Sequence, residues 1–332
     1  MRRREFLTAT SLGGAATLLG MRPTPAGAEP PPETTTLTLT YVPTICYAPQ
    51  YVAEELLRGE GFTDVRYAKL APGEEFYKFL GSANVSLTMD LAAAQLVAMD
   101  DGDPLVILAG VHVGCYQLFG TNGVRTIRDL KGRTVAVPAL RSGPHLMLSM
   151  IAANIGLDPR KDITWVEHPG EESMALLAAG KVDAFLGFPP EPQELRAKNI
   201  GQLVLNTATD KPWSQYFCCV VTGHREFVRK YPVATKRALR AILKATDICA
   251  REPARAAQLL VDKGYVSRYD YALQAMQDVL YTKWREYNPE DTVRFQALRL
   301  HELGMIKTSP QKLVAQGTDW RFLNELKKEL KA

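Results

Sequence analysis

The sequence predicts an α/β protein built on open, mainly parallel sheets covered by helices. Strand-like and helix-like stretches alternate from residue 36 to about 223. Their connections are short, and a second alternating set starts at residue 133, after the first has ended. Such alternation is the signature of parallel strands joined by helical crossovers. Beyond residue 223 the pattern turns mainly helical.

In chain order, "TLTLTYV" (36–42) alternates with period two and reads as a strand. "APQYVAEELLRGEG" reads as a helix with Pro49 in its first turn and glycines at its end. "SANVSLTMD" is a short strand that stops at Asp90, where the helix "LAAAQLVAMDDG" begins. "PLVILAGVHVGCYQLFG" (104–120) is one long apolar strand-like run, followed by a loop and short helix, "TNGVRTIRDLKG". The second set opens with the buried strand "RTVAVP" (133–138), the loop "ALRSGPH" and the helix "LMLSMIAANIGL". It continues with the strand "ITWVEH", the helix "GEESMALLAAGKV", the strands "DAFLGF" and "IGQLVLNT", and the strand-like "QYFCCVVTG" (215–223). Ligands of such sheets gather at the carboxyl ends of the strands, which points to the loops 43–49, 88–91, 139–145 and 187–192.

The N-terminus reads as an export signal. Arg2 to Arg4 precede an apolar stretch of small residues, and Ala26-Gly27-Ala28 fits the small-x-small cleavage rule. "RREFL" matches the twin-arginine pattern, which addresses folded proteins for export. Residues 1–28 are therefore expected to be removed, 29–35 to form a proline-rich linker, and the protein to be periplasmic. The signal carries four arginines and one glutamate, so its loss takes the formal charge from +4 to +1. Such a balance gives no reason to expect a nucleic-acid partner. No later apolar run reaches the roughly 20 residues of a membrane helix.

Five cysteines, Cys46, Cys115, Cys218, Cys219 and Cys249, have no C-x-x-C spacing, and five scattered histidines have none that suits a metal. Neither a metal nor a cofactor is expected, and no nucleophile motif announces an enzyme. Adjacent strand residues point to opposite faces, so Cys218 and Cys219 should not both look into one cleft. That argues against a two-thiol metal site.

Several stretches resemble, in order, the solute-binding proteins of ABC importers for nitrate, alkanesulfonates, taurine and thiamine pyrimidine precursors, the NMT1-like family. They are "YAPQYVAEELL", "ANVSLTMDLAAAQLVAMDDGDPLVILAG", "IRDLKGRTVAVPALRSGPHLMLSMIAANIGLDPRKDITWVEH", "ESMALLAAGKVDAFLGFPPEPQEL" and "REFVRKYPVATKRALRAILKATDICAREPARAAQLL". The resemblance implies a type II periplasmic binding protein: two α/β lobes, two crossover strands, and a cleft that closes on a small-molecule solute. Lobe 1 would comprise 36–120 and 222–332 and lobe 2 121–221, with hinges near 118–122 and 216–222. It also implies a monomer that delivers its solute to a permease and ATPase at the inner membrane. Two alternatives share the fold: a sensor subunit, and an iron-binding pyrimidine-precursor synthase, whose cysteine-rich stretch "FCC" resembles in part.

The candidate ligand contacts follow from the loops and the resemblance together. Arg141, Ser142, Gly143 and His145 lie at a strand-to-helix turn that is either an ordinary cap or a cradle for an oxygen-rich group. Thr44, Cys46, Tyr47, Met89 and Asp90 occupy the equivalent loops of the first lobe, Asp90 as a helix cap or as a partner for a ligand N–H. Phe188 and Glu191 sit in a proline-stiffened loop, although a glutamate there is more often a solvated charge. Trp213, Tyr216 and Cys218 lie along the return crossover, the two aromatics suiting a planar solute. Arg141 is the only basic residue in the four loops, so nothing commits the pocket to a strong anion.

Overall fold

The computed structural model describes residues 29–70, 78, 79, 81, 82 and 84–331; the expected export signal lies outside them. Among the described residues, ten strands form two five-stranded sheets. The first has the order β2-β1-β3-β10-β4, where β1 is Thr36–Thr40, β2 Asp64–Ala68, β3 Leu87–Leu91, β4 Leu105–Val113 and β10 Phe217–His224. The second has the order β7-β6-β8-β5-β9, where β5 is Gln117–Gly120, β6 Arg133–Val137, β7 Ile163–Glu167, β8 Ala184–Gly187 and β9 Gln202–Asn206. This is the two-lobed, type II arrangement that the sequence anticipated.

Each sheet holds four mutually parallel strands and one antiparallel to its neighbours. The exceptions are β5 and β10, the strands the chain enters immediately after leaving the other sheet. A strand arriving from across the cleft runs against those that begin at the far edge, so the crossovers make both sheets mixed.

The passages between sheets are 114–116 and 207–216, each N-terminal to the expected 118–122 and 216–222. The apolar run 104–120 is two strands, because Gly114 takes φ +67° and turns the chain out of the first sheet. A Cβ there would stand 2.3 Å from the Ala208 Cα of the returning passage, so the two crossovers meet where only glycine fits. They are bonded to each other as well: Thr207 N–H donates to the Tyr116 carbonyl at 3.0 Å, and Tyr116 N–H to Thr207 Oγ1 at 3.1 Å.

Helices Pro232–Arg251, Pro253–Asp262 and Pro289–Glu302, each started by a proline in its first turn, bury apolar faces beside the first sheet. Glu33 accepts hydrogen bonds from Val233 and Ala234 N–H at 2.9 and 2.8 Å, capping the first of them. The segment expected as a linker thus ends in a helix cap. Strand β2 and helix Pro310–Gly317 had no clear sequence signal. No helix among the described residues is long and apolar enough to cross a membrane.

Candidate functional site

A cavity of about 430 Å³ opens between the sheets where the carboxyl ends of their parallel strands converge. After β1 come Val42, Thr44, Cys46 and Tyr47; at the end of β3, Asp90 and Leu91; after β4, Cys115 and Tyr116. The second sheet supplies Pro138 to Pro144 after β6 and Phe188 after β8. Cys219 enters from the amino end of antiparallel β10, which lies at the same edge.

All four anticipated loops contribute. The structure brings together Thr44, Cys46, Tyr47, Asp90, Arg141, Ser142, Gly143 and Phe188 around this cavity. Met89, His145, Glu191, Trp213, Tyr216 and Cys218 do not line it, each for a physical reason. Met89 alternates with Asp90 along β3 and buries its side chain in the core. His145 lies further along the helix, its ring 4.7 Å from Trp165 and its Nδ1 accepting the Arg141 N–H at 3.0 Å. Burial lowers its pKa to about 4, so it stays neutral. Glu191 folds back to accept from Phe188 N–H at 3.0 Å, and burial lifts its pKa to about 7. Tyr216 stacks on Phe295 at 4.1 Å, and Trp213 meets the same ring edge-on at 5.6 Å, so both aromatics serve helix Pro289–Glu302. Cys218 packs against Cys115, and the thiol on the cavity wall is that of Cys219.

Sequence reasoning passed over Tyr116, Cys115, Leu91 and Asp101. The first two were hidden inside the apolar run 104–120, and the signal that could have found them is Gly114. Tyr116 lies edge-on to Phe188 at 5.8 Å. A Cβ on Gly143 would come within 2.6 Å of the Tyr116 hydroxyl, so the helix start of the second sheet rests on this ring. Thr44 Oγ1 donates to the Pro189 carbonyl across the cleft at 2.8 Å.

Two carboxylates and one guanidinium set the electrostatics. Arg141, a non-glycine residue at φ +67°, reaches across the cleft to pair with Asp101. Asp90 is not the helix cap that its position suggested. Its Oδ1 accepts the Leu91 N–H at 2.7 Å, and Oδ2 is buried with no partner in hydrogen-bonding geometry, the nearby Gln95 amide offering only a weak counterweight to burial. Burial, reinforced by the neighbouring Cys219 thiol, pushes the Asp90 carboxyl up to about 8. Ser142 Oγ, at the start of helix Gly143–Asn154, is also buried without a partner. The cavity therefore offers a buried acid, a hydroxyl and helix-start N–H groups between aromatic walls, and Arg141, the only cation among the described lining residues, is already paired.

Cys115 and Cys219 of the wall, with His112 and Cys218 behind them, bring their ligand atoms within 4.8 Å of one another. Strand alternation fails here, because β10 is irregular against β4: Phe217 pairs with Val113 but Cys219 with His112, leaving Cys218 as an extra, bulged residue. A bulge re-aims a side chain, and both adjacent thiols turn toward Cys115. Burial opposes ionisation of Cys218, but hydrogen bonds from Cys115 and Cys219 bring its thiol down to about 7.

The two-sheet architecture and interlobe cavity define a periplasmic-binding-protein fold. The NMT1-like family model matches residues 30–261, and the chain belongs to that family. The periplasmic nitrate-binding protein NrtA of Synechocystis PCC 6803 is similar over 91% of this chain and 90% of its own, with a TM-score of 0.75 and 18% identity. The desulfurization enzyme DSZB shares the fold at a TM-score of 0.63 and 16% identity, over 89% of this chain and 99% of its own. The nitrate import ATP-binding protein NrtC of Synechocystis sp. is 24% identical over 238 residues, 64% of this chain. The match spans 35% of that relative's length.

Proposed function

We propose that this protein is the exported solute-binding component of an ABC importer, and that its solute is neutral or cationic rather than a strong anion. Membership of the NMT1-like family and the likeness to a nitrate-binding protein support the transport role. In this reading 31–113 and 217–331 form one lobe and 117–206 the other, with 114–116 and 207–216 as hinges. The monomer closes in the periplasm around one solute and hands it, unchanged, to a membrane permease driven by an ATPase.

The observation that carries the solute class is Asp90, a buried carboxyl with one oxygen lacking a partner in hydrogen-bonding geometry, in a cavity where the only arginine among the described lining residues is paired. A solute N–H or cation at Oδ2 would recover the hydrogen bond that burial denies and stabilise the ionised acid. A nitrate or sulfonate would find Arg141 already paired with Asp101, and its charge would oppose ionisation of Asp90 where a solute N–H or cation favours it. The aromatic walls, Tyr47, Tyr116 and Phe188, suit a planar molecule with a polar edge.

Thermal-shift screening tests this directly, because a solute at 100 times its Kd adds about 2.7 kcal/mol to stability. Pyrimidines, planar amines and other N–H-bearing heterocycles should raise the midpoint, while nitrate, taurine and alkanesulfonates should not. A shift with the anions alone would overturn the solute class. Mass spectrometry of the hit after overnight incubation should recover it intact; turnover would favour an enzyme of this fold.

A further inference from the structure

The cluster at the cavity wall, of which Cys115 and Cys219 line the cavity, has the composition and arrangement of a metal site. His112, Cys115, Cys218 and Cys219 are all buried, and their ligand atoms lie within 4.8 Å of one another. A tetrahedral zinc ion with Zn–S bonds of about 2.3 Å holds its sulfurs about 3.8 Å apart, inside that limit. Cys115 Sγ and Cys218 Sγ stand 2.7 Å apart, so an ion would spread them by about an ångström.

The second observation is the imidazole. His112 Nε2 lies 3.3 Å from the Cys46 carbonyl oxygen, while Nδ1 is buried with no hydrogen-bond partner. A neutral ring that donates Nε2–H to a carbonyl leaves a bare lone pair on Nδ1. A ligating histidine is held in this way, its other N–H fixed by a carbonyl or carboxylate. The Tyr281 ring packs against the imidazole in a T-shaped arrangement, ring centroids 5.5 Å apart.

The third is the bulge. Regular pairing would send Cys218 and Cys219 to opposite faces, and the extra residue in β10 undoes that alternation at this pair.

We propose that His112 Nδ1 and the sulfurs of Cys115, Cys218 and Cys219 form a closed tetrahedral site for a thiophilic divalent ion, zinc. Binding releases one proton from each of three thiols to solvent, leaving a four-ligand complex of net charge −1. With every position taken by protein, the ion is structural rather than a Lewis acid for the cavity. It ties the end of β4 and the outgoing crossover to the start of β10, so it braces the root of the hinge. The site does not depend on the transport reading, and zinc is read without any solute.

The test uses the full mature chain purified without oxygen under reducing conditions. Native mass spectrometry with added Zn2+ should show one ion per chain. Co2+ should give the visible bands of tetrahedral cobalt with near-ultraviolet thiolate charge transfer. The Cys115→Ser/Cys218→Ser double variant should lose more than the roughly 10–100-fold in affinity that outer-shell partners of a metal site are worth. Cys249→Ala, altered in a buried cysteine outside the cluster, should bind as the parent does. Because a buried variant can fail to fold, the parent decides alone: no zinc uptake, octahedral cobalt, or a Cys115–Cys218 disulfide formed in place of metal would each overturn the site.

Discussion

At the scale of single residues, Asp90 gives the sharpest pH dependence. Its carboxyl is pushed up to about 8 by burial, whereas the unfolded chain ionises near 3.8. Between those values the unfolded state has lost a proton that the folded state keeps. Stability from this group is therefore complete below about 4, falls as pH rises, and is exhausted once pH passes the folded value. The slope is at most about 1.4 kcal/mol per pH unit in that window. Asp90→Asn mimics the protonated form, so urea unfolding from pH 5 to 8.5 should show a shallower decline and higher stability at pH 8 than the parent. Equal slopes would mean that Asp90 titrates normally. The same variant puts an amide donor where the proposed solute donates, and calorimetry should find its affinity reduced at least tenfold. The sequence showed Asp90 at a strand end but left cap or ligand partner open, because only the packed structure decides whether a loop carboxylate meets water.

At the scale of elements, the sequence was most legible where periodicity was unbroken and least where one residue breaks it. The strands around Thr36–Thr40, Arg133–Val137 and Ala184–Gly187 fall where alternation or apolar runs put them. Strand Asp64–Ala68 has no fully buried residue, so it carries no such pattern. The run 104–120 looked continuous because both halves are wholly buried and equally apolar; its division rests on Gly114 alone. Of the adjacent pair Cys218–Cys219 only one lines the cavity, as expected, and it is Cys219, but the clustering of both thiols near Cys115 was not legible, since a bulge is a pairing property and leaves no mark in one strand's own sequence. Gly114 and Gly132 make a paired test, because both have positive φ, +67° and +74°. A Cβ on Gly132 meets nothing within 4 Å, whereas on Gly114 it strikes the Ala208 backbone. Gly132→Ala should cost only the left-handed penalty of about 1–2 kcal/mol. Gly114→Ala should cost clearly more in urea unfolding, since the crossovers must part to admit the methyl. Equal losses would show that the crossovers are not packed at their limit.

At the scale of the whole molecule, the contacts that cross the cleft determine how easily it opens. Thr44 meets Pro189, Arg141 meets Asp101, and Asp278 accepts from both Arg196 and Gln193, the latter through Nε2 at 3.0 Å. The Asp278 link joins helix Tyr269–Asp278 to helix Glu191–Ala197, and none of its three residues lines the cavity. Its charged partners are about a quarter to a third exposed, 27% and 31%, which places the pair between the weak surface bridges and the costly buried ones. A ligand shifts a hinge only through its differential affinity for the two states. If the unliganded protein already spends part of its time closed, removing a contact made only in the closed form lowers apparent affinity without touching the pocket. Asp278→Ala should thus weaken solute binding about 3–10-fold, the effect of losing about 1 kcal/mol of closed-state bias. Small-angle scattering should show a larger radius of gyration for the free variant than for the free parent, and the same radius for both at saturating solute. An unchanged Kd together with an unchanged free radius would mean that this link rides along with closure and does not drive it.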